Sequence, residues 1–356
     1  MKIALTGASG FLGRHIAQAA RQAGHELSIW SAGGSPQNPS TTTEAGNVVS
    51  TTDGPSIRVV RGRLGPDIGP ALELCDGQDA VIHAGWWTPG DSFIGGEGDP
   101  QAYAQTNVAG SAALLQAAAE CQVKRFVFIS SGAVFGEIHG DGPICESHPR
   151  TGTSVYGTAK ASVEILIESF HGKAESFDGK AESFDGKIES FDRLAAALRG
   201  NDKPRDHRGI DSAPPLAACT LRPTSIYGLD DPIESSRGFD LVRSIVAGET
   251  VSVSGGGKWV AASDAAGAAL HLVGLPFDTV AGQTFHCTGG WVSRHRIATI
   301  VDRLRGIHGN WTGEETPVGR EMSTLKLRQT GFEFHQDRNL EATLATLVRH
   351  AESAAG

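Results

Sequence analysis

Eight residues near the start of the chain, Thr6-Gly7-Ala8-Ser9-Gly10-Phe11-Leu12-Gly13, follow a short apolar run at Lys2–Leu5 and lead into an amphipathic stretch, Arg14–Ala23. A strand, a glycine-rich turn and a helix in that order open a parallel α/β unit. Gly7 permits the tight turn, Gly10 lets backbone approach a pyrophosphate, and Gly13 lets the helix pack close to the strand. The helix amino terminus at Phe11–Arg14 then offers N–H groups and the positive end of a dipole to phosphate.

The pattern repeats along the chain. Runs at Lys2–Leu5, Glu26–Trp30, Ile57–Val60, Ala80–His83, Phe126–Ser130 and Ala218–Leu221 are apolar almost without alternation, as strands covered on both faces require. Helical stretches such as Arg14–Ala23 and Ala109–Cys121 separate them, so the fold class predicted is α/β with a doubly wound parallel sheet. Ser31–Asp53, rich in Ser, Thr and Gly, reads as a loop. Past Tyr227 the alternation weakens. Residues 1–228 are therefore expected to form one domain and 229–356 a smaller, interleaved lobe.

From Glu168 the chain carries a seven-residue repeat, ESFHGKA, ESFDGKA, ESFDGKI and ESFD, an insertion over about 168–192. Its Phe and Ala or Ile positions alternate in steps of four and three, a heptad seam. A glycine in every full unit weakens a helix there by about 1 kcal/mol. Two readings stay open, an assembly arm and a surface helix lengthened by duplication. A charged, proline-containing loop follows at about 200–215.

Charge and cysteine usage exclude several classes. Thirty-one Lys and Arg stand against 40 acids, without the basic surface that nucleic acid or an anionic membrane demands. No run of 18 apolar residues is present to span a bilayer, and glycines with Arg14 interrupt the first residues too early for a secretory leader. Cys75, Cys121, Cys145, Cys219 and Cys287 are widely spaced and odd in number, reading as reduced thiols of a cytoplasmic protein. The polar loop holding Glu137, His139, Asp141, Glu146 and His148 reads as solvated, and no metal is expected.

Tyr156-Gly-Thr-Ala-Lys160 carries the chemistry, with Ser131 25 positions upstream at the end of a predicted strand. Spacing of four puts Tyr156 and Lys160 on one helix face. A phenol, with an ordinary pKa near 10, needs a neighbouring cation to act as a base near neutrality. A serine hydroxyl within reach can hold the substrate oxygen while the tyrosine gives or takes its proton.

Together these motifs resemble the extended short-chain dehydrogenase/reductase family, which includes sugar-nucleotide epimerases and dehydratases. The resemblance runs from Met1 to about Arg349 and implies a Rossmann-type sheet, with a smaller carboxyl-terminal lobe for substrate. It implies Ser131, Tyr156 and Lys160 as the catalytic set. It also implies cofactor contacts from Gly7, Ser9, Gly10, Phe11, Leu12, Gly13, Arg14, Ser130, Tyr156 and Lys160. His83, Ala84 and Gly85 of the V-I-H-A-G turn would pass beside the cofactor, and Asn107 in T-N-V-A-G-S would support the lysine's proton relay. Leu221–Gly228 matches the strand that brings backbone, with Pro223 and Ser225, against the nicotinamide. Leu325–Phe332 resembles a late helix-to-turn signature of the substrate lobe. A homodimer is common in such a family.

Four departures bear on ligands. Ser31 stands where an acid usually holds the adenosine ribose, and Arg63-Leu64 replaces an Asp-Leu pair, so the cofactor expected is NAD(P) with a lean to NADP. Gly257 stands where an arginine usually binds the substrate diphosphate, and Ser225 stands for an asparagine. Trp86 and Trp87, just past the His83 turn, could wall an apolar substrate or simply pack. The activity expected is hydride transfer between NAD(P) and a secondary alcohol or carbonyl. The alternatives are an epimerase or dehydratase that retains its cofactor, and a cofactor-sensing regulatory protein.

Overall fold

The computed structural model describes residues 1–31, 48–49, 57–138, 140–171 and 216–355. They fall into two compact units. The first comprises 1–137, 149–222 and 269–285, and the second 138–148, 223–268 and 286–356. The change of unit after residue 222 lies close to the expected boundary at 228. The excursions at 138–148 and 269–285 have no compositional mark.

The first unit is built on a sheet with strands β1 (Lys2–Thr6), β2 (Glu26–Ser31), β3 (Val48–Val49), β4 (Ile57–Arg61), β5 (Ala80–His83), β6 (Arg125–Ile129) and β7 (Ala217–Pro223), joined by Thr284–Cys287. From one edge the order is Thr284–Cys287, β7, β6, β5, β1, β2, β4, β3. Five consecutive pairings from β7 to β4 are parallel, and β3 pairs antiparallel with β4. Val48–Val49 thus puts a short strand inside the segment read as loop. Two valines in a polar stretch were too short a signal to separate from their surroundings.

Helix α1 (Phe11–Gln22) turns Gly13, Ile16 and Ala20 inward. Helix α2 (Gly110–Glu120) is buried along nearly its whole length by alanines and leucines, the behaviour of a helix without a polar face. Strands β1 and β5 pair with Thr6 opposite His83, and β5 and β6 with His83 opposite Phe128. The three carboxyl ends therefore share one edge, and chain order reverses at β1, which lies between β2 and β5. Open parallel sheets present their ligand crevice at such a switch point.

The second unit has a three-stranded sheet, Gly290–Ser293, Gly256–Ala261, Ser225–Tyr227, and a two-stranded one. Its core gathers Tyr227, Phe239, Ile245, Val292, Val301 and Leu347. All five cysteines are free thiols. Residues 172–215, with most of the heptad repeat and the charged loop, lie outside the described residues.

Candidate active site

At the end of β1, Gly7 takes φ +75°, and a Cβ there would stand 2.6 Å from Gly85 Cα. A Cβ on Gly13 would overlap the Gly7 carbonyl. Gly10 differs, since its Cβ would meet only the Gly7 oxygen, at 3.3 Å. Space therefore remains at the residue that caps α1, whose first turn contains no acid and whose cap has no side-chain hydrogen bond. That cradle fits a pyrophosphate, with the N–H groups of α1's first turn as donors. Arg14 steadies it by donating from Nη1 to the Ser9 carbonyl at 2.7 Å.

A buried hydrogen-bond chain ties the β1 and β5 ends together. Ser111 Oγ donates to the Asn107 carbonyl at 2.5 Å and so accepts from His83 Nε2, 2.8 Å away. The proton on Nε2 leaves His83 Nδ1 to accept the Thr6 hydroxyl at 2.7 Å, and Thr6 in turn accepts from Gly85 N–H at 3.0 Å. Burial, helped by the nearby Lys160, pulls the His83 pKa down to about 3, so the ring is a neutral strut. The Asn107 amide grips Trp87 at both backbone atoms, accepting from its N–H at 2.8 Å and donating to its carbonyl at 2.9 Å. Its side chain therefore anchors the segment after β5.

Ser131 follows β6 and caps the short turn Gly132–Val134, accepting from Ala133 N–H at 3.1 Å. Helix α3 (Val155–Phe170) begins at Ser154, whose hydroxyl accepts from Gly157 N–H at 3.0 Å. A Cβ on Gly157 would overlap the Ala133 carbonyl. Glycine at that position lets the first turn of α3 close on the β6 turn, which brings Ser131 near enough to Tyr156 to lower its pKa. The glycine inside Y-G-T-A-K was the available signal for this approach.

Burial pushes the Tyr156 phenol up to about 12, against the opposing effect of Ser131. Lys160 is buried one turn on. Its Nζ donates to the Ile129 carbonyl at 2.7 Å and sits 3.7 Å from the Trp86 ring centroid, 4.7 Å from Phe128 and 5.9 Å from Tyr156. Burial draws its pKa well below that of an ordinary lysine, although Glu164 works the other way. Trp86 is thus both packing and the face on which the ammonium rests, with its Nε1 donating to the Tyr103 hydroxyl at 2.8 Å.

Behind Lys160, Glu164 accepts from Arg222 Nε at 2.8 Å and Nη2 at 2.5 Å, both side chains being almost wholly buried. Ser130 donates to the same carboxylate at 2.5 Å. The Ser130 hydroxyl, expected to contact the cofactor, is thus directed to Glu164. The signals for this pair were an acid one turn past Lys160 and the arginine of L-R-P. Ser31 ends β2 opposite Arg61, and Arg61 and Arg63 are exposed; Leu64 packs close to Gly110. Pro223 and Ser225 belong to the second unit. Among the described residues, no group of three His, Cys, Asp or Glu could hold a metal ion, and no helix is long and apolar enough to cross a membrane.

Residues 3–179 match the NAD dependent epimerase/dehydratase family. Over 176 residues the chain is 33% identical to a dTDP-glucose 4,6-dehydratase of Streptomyces antibioticus, covering 48% of this chain and 49% of that protein. A UDP-glucose 4-epimerase of Streptomyces lividans is 32% identical over 175 residues, 47% of this chain and 46% of its own. The chain spans about half the length of these curated relatives. A UDP-glucose 4-epimerase structure from Thermotoga maritima, solved with UDP-glucose, shares the fold over 100% of both chains, with TM-score 0.65 and 19% identity.

Proposed function

Since residues 3–179 belong to the NAD dependent epimerase/dehydratase family, we propose that the chain transfers hydride between NAD(P) and a secondary alcohol or carbonyl compound. The observation that carries this reading is that Tyr156 and Lys160 share one face of the helix, with Ser131 near enough to the phenol to lower its pKa against burial. When bound, the nicotinamide supplies or accepts the hydride. Gly7, Gly10, Gly13 and the α1 amino terminus would hold the pyrophosphate. Ser131 positions the substrate oxygen, and Tyr156 moves the proton at that oxygen.

A phenol raised to about 12 stays protonated near neutrality. It is therefore ready as the acid for carbonyl reduction. Acting as a base for alcohol oxidation requires positive charge nearby. A proton on Lys160, whose Nζ lies 5.9 Å from the Tyr156 ring centroid, would favour phenolate by about 3 kcal/mol at an effective dielectric of about 20. Neutral His83 and the Trp87 anchor, Asn107, hold the adjoining backbone.

The curated relatives favour a second reading, in which the cofactor is retained and returns its hydride, giving epimerisation or dehydration. Both readings use the same tyrosine. Net oxidation of added NADPH separates them, because a reductase consumes it stoichiometrically and a retained-cofactor enzyme does not. NADP is the proposed preference, supported by Ser31 at the β2 end and by Arg61 opposite it.

A further inference from the structure

Beside Tyr156 lies a surface that the proton-transfer groups leave unused. In the first unit, Trp87, Phe93 and Ile94 are 38%, 52% and 58% exposed, and Val155, adjacent to Tyr156 in the chain, is 39% exposed. Phe93 stacks on the Tyr156 ring with centroids 5.3 Å apart and planes inclined by 27°. Trp87 leans on Tyr103 at 6.1 Å, its backbone held by Asn107.

The buried carboxylate of Glu97 fixes this segment to the catalytic helix. Its Oε2 accepts from Gly95 N–H at 2.6 Å and its Oε1 from Tyr156 N–H at 3.2 Å. Its own backbone N–H first, then those of Tyr156 and Gly95, hold the Glu97 carboxyl below the usual range against burial. An exposed aromatic ring stacked on the reacting group, on a segment that also exposes Trp87 and Ile94, marks a contact for apolar matter. Charge narrows the choice. Residues 84–104 include Asp91, Glu97 and Asp99 but no lysine, arginine or histidine. A diphosphate laid along this segment would meet like charge and find no bidentate partner.

We propose that Trp87, Phe93 and Ile94 are the substrate-contact surface of the Tyr156 site and select an uncharged aromatic ketone, or its secondary alcohol, over a nucleotide sugar. The inference rests on Tyr156 being the acid/base. In the reductive direction the carbonyl carbon gains a hydride from NAD(P)H, and the π pair moves to oxygen. That oxygen takes the Tyr156 proton while held by Ser131. NAD(P)⁺ leaves, and the phenolate regains a proton from solvent. The aryl group flanking the carbonyl rests on the exposed surface of Phe93.

The test uses the full chain with NADPH and three probes: acetophenone, UDP-glucose and dTDP-glucose. Cofactor oxidation and chromatography of the sugars follow turnover, and saturation-transfer NMR follows acetophenone binding. Acetophenone is expected to bind and to turn over at least tenfold more efficiently than either sugar is converted. Phe93→Ala should raise its KM about tenfold with kcat within threefold, Phe93→Leu should do so partly, and Phe93→Tyr should restore it. Conversion of a nucleotide sugar without acetophenone turnover overturns the inference, as does an unchanged KM in Phe93→Ala or the absence of acetophenone saturation transfer in the parent chain. Tyr156→Phe with each productive probe tests the underlying reading separately. Loss of activity with a sugar alone keeps Tyr156 as acid/base and removes only the aromatic substrate.

Discussion

The Nζ of Lys160 lies 3.7 Å from the ring centroid of Trp86 while donating to the Ile129 carbonyl at 2.7 Å. An indole face and one carbonyl only partly offset the removal of an ammonium from water. A methionine of similar length would fill the same channel without that cost. Lys160→Met is therefore expected to unfold within about 1 kcal/mol of the parent chain, or above it, by urea titration. Turnover should fall by at least about a hundredfold. A variant that loses about 3 kcal/mol would show Lys160 to be structural first.

His83 makes the protein sensitive to acid. Its folded pKa of about 3 lies below the ordinary 6.5, so the unfolded chain binds this proton first. Stability from the neutral ring is present above pH 6.5 and falls as pH drops toward 3. The loss reaches about 2 kcal/mol at pH 5. Between pH 7 and 5 the parent chain should lose about that much more than His83→Gln. Parallel curves for the two would contradict the assignment.

Arg222 and Glu164 are almost fully buried and mutually hydrogen-bonded. Glu164→Gln removes the buried charge that Arg222 Nε and Nη2 face, so it should cost about 3 kcal/mol or more in denaturant unfolding. Replacing both, as Glu164→Leu with Arg222→Met, should recover most of that. If the double variant is no better than the single one, the pair is not a closed unit.

Sequence patterning found the strands because a sheet covered on both faces requires uninterrupted apolar runs, and β1, β5 and β6 have them. It singled out Ser131, Tyr156 and Lys160 from helix spacing and proton chemistry, and the structure places Tyr156 and Lys160 one turn apart on one helix. It did not find Glu97, Phe93 or the Glu164–Arg222 pair. Those contacts join residues 59, 63 and 58 positions apart, and no local period records such a distance. The side-chain bond of Ser130 is similar, since two adjacent serines give no sign of which one turns inward.

Cofactor choice is testable at the β2 end. NADPH should bind at least as tightly as NADH by fluorescence titration. Ser31→Asp should weaken NADPH by about tenfold or more through repulsion of the 2′-phosphate, while improving NADH. A clear preference of the parent chain for NADH, unchanged in Ser31→Asp, would place the ribose elsewhere.

The most direct test is Tyr156→Phe, assayed for turnover and for cofactor binding on the same preparation. On the proposed reading the Tyr156 hydroxyl is needed only in the transition state, whereas the glycine loop after β1 would hold the pyrophosphate. Turnover should fall by about 10²–10⁴-fold, with cofactor affinity within several-fold of the parent. Retention of more than about a tenth of the parent rate by a folded, cofactor-binding variant would contradict Tyr156 as the acid/base.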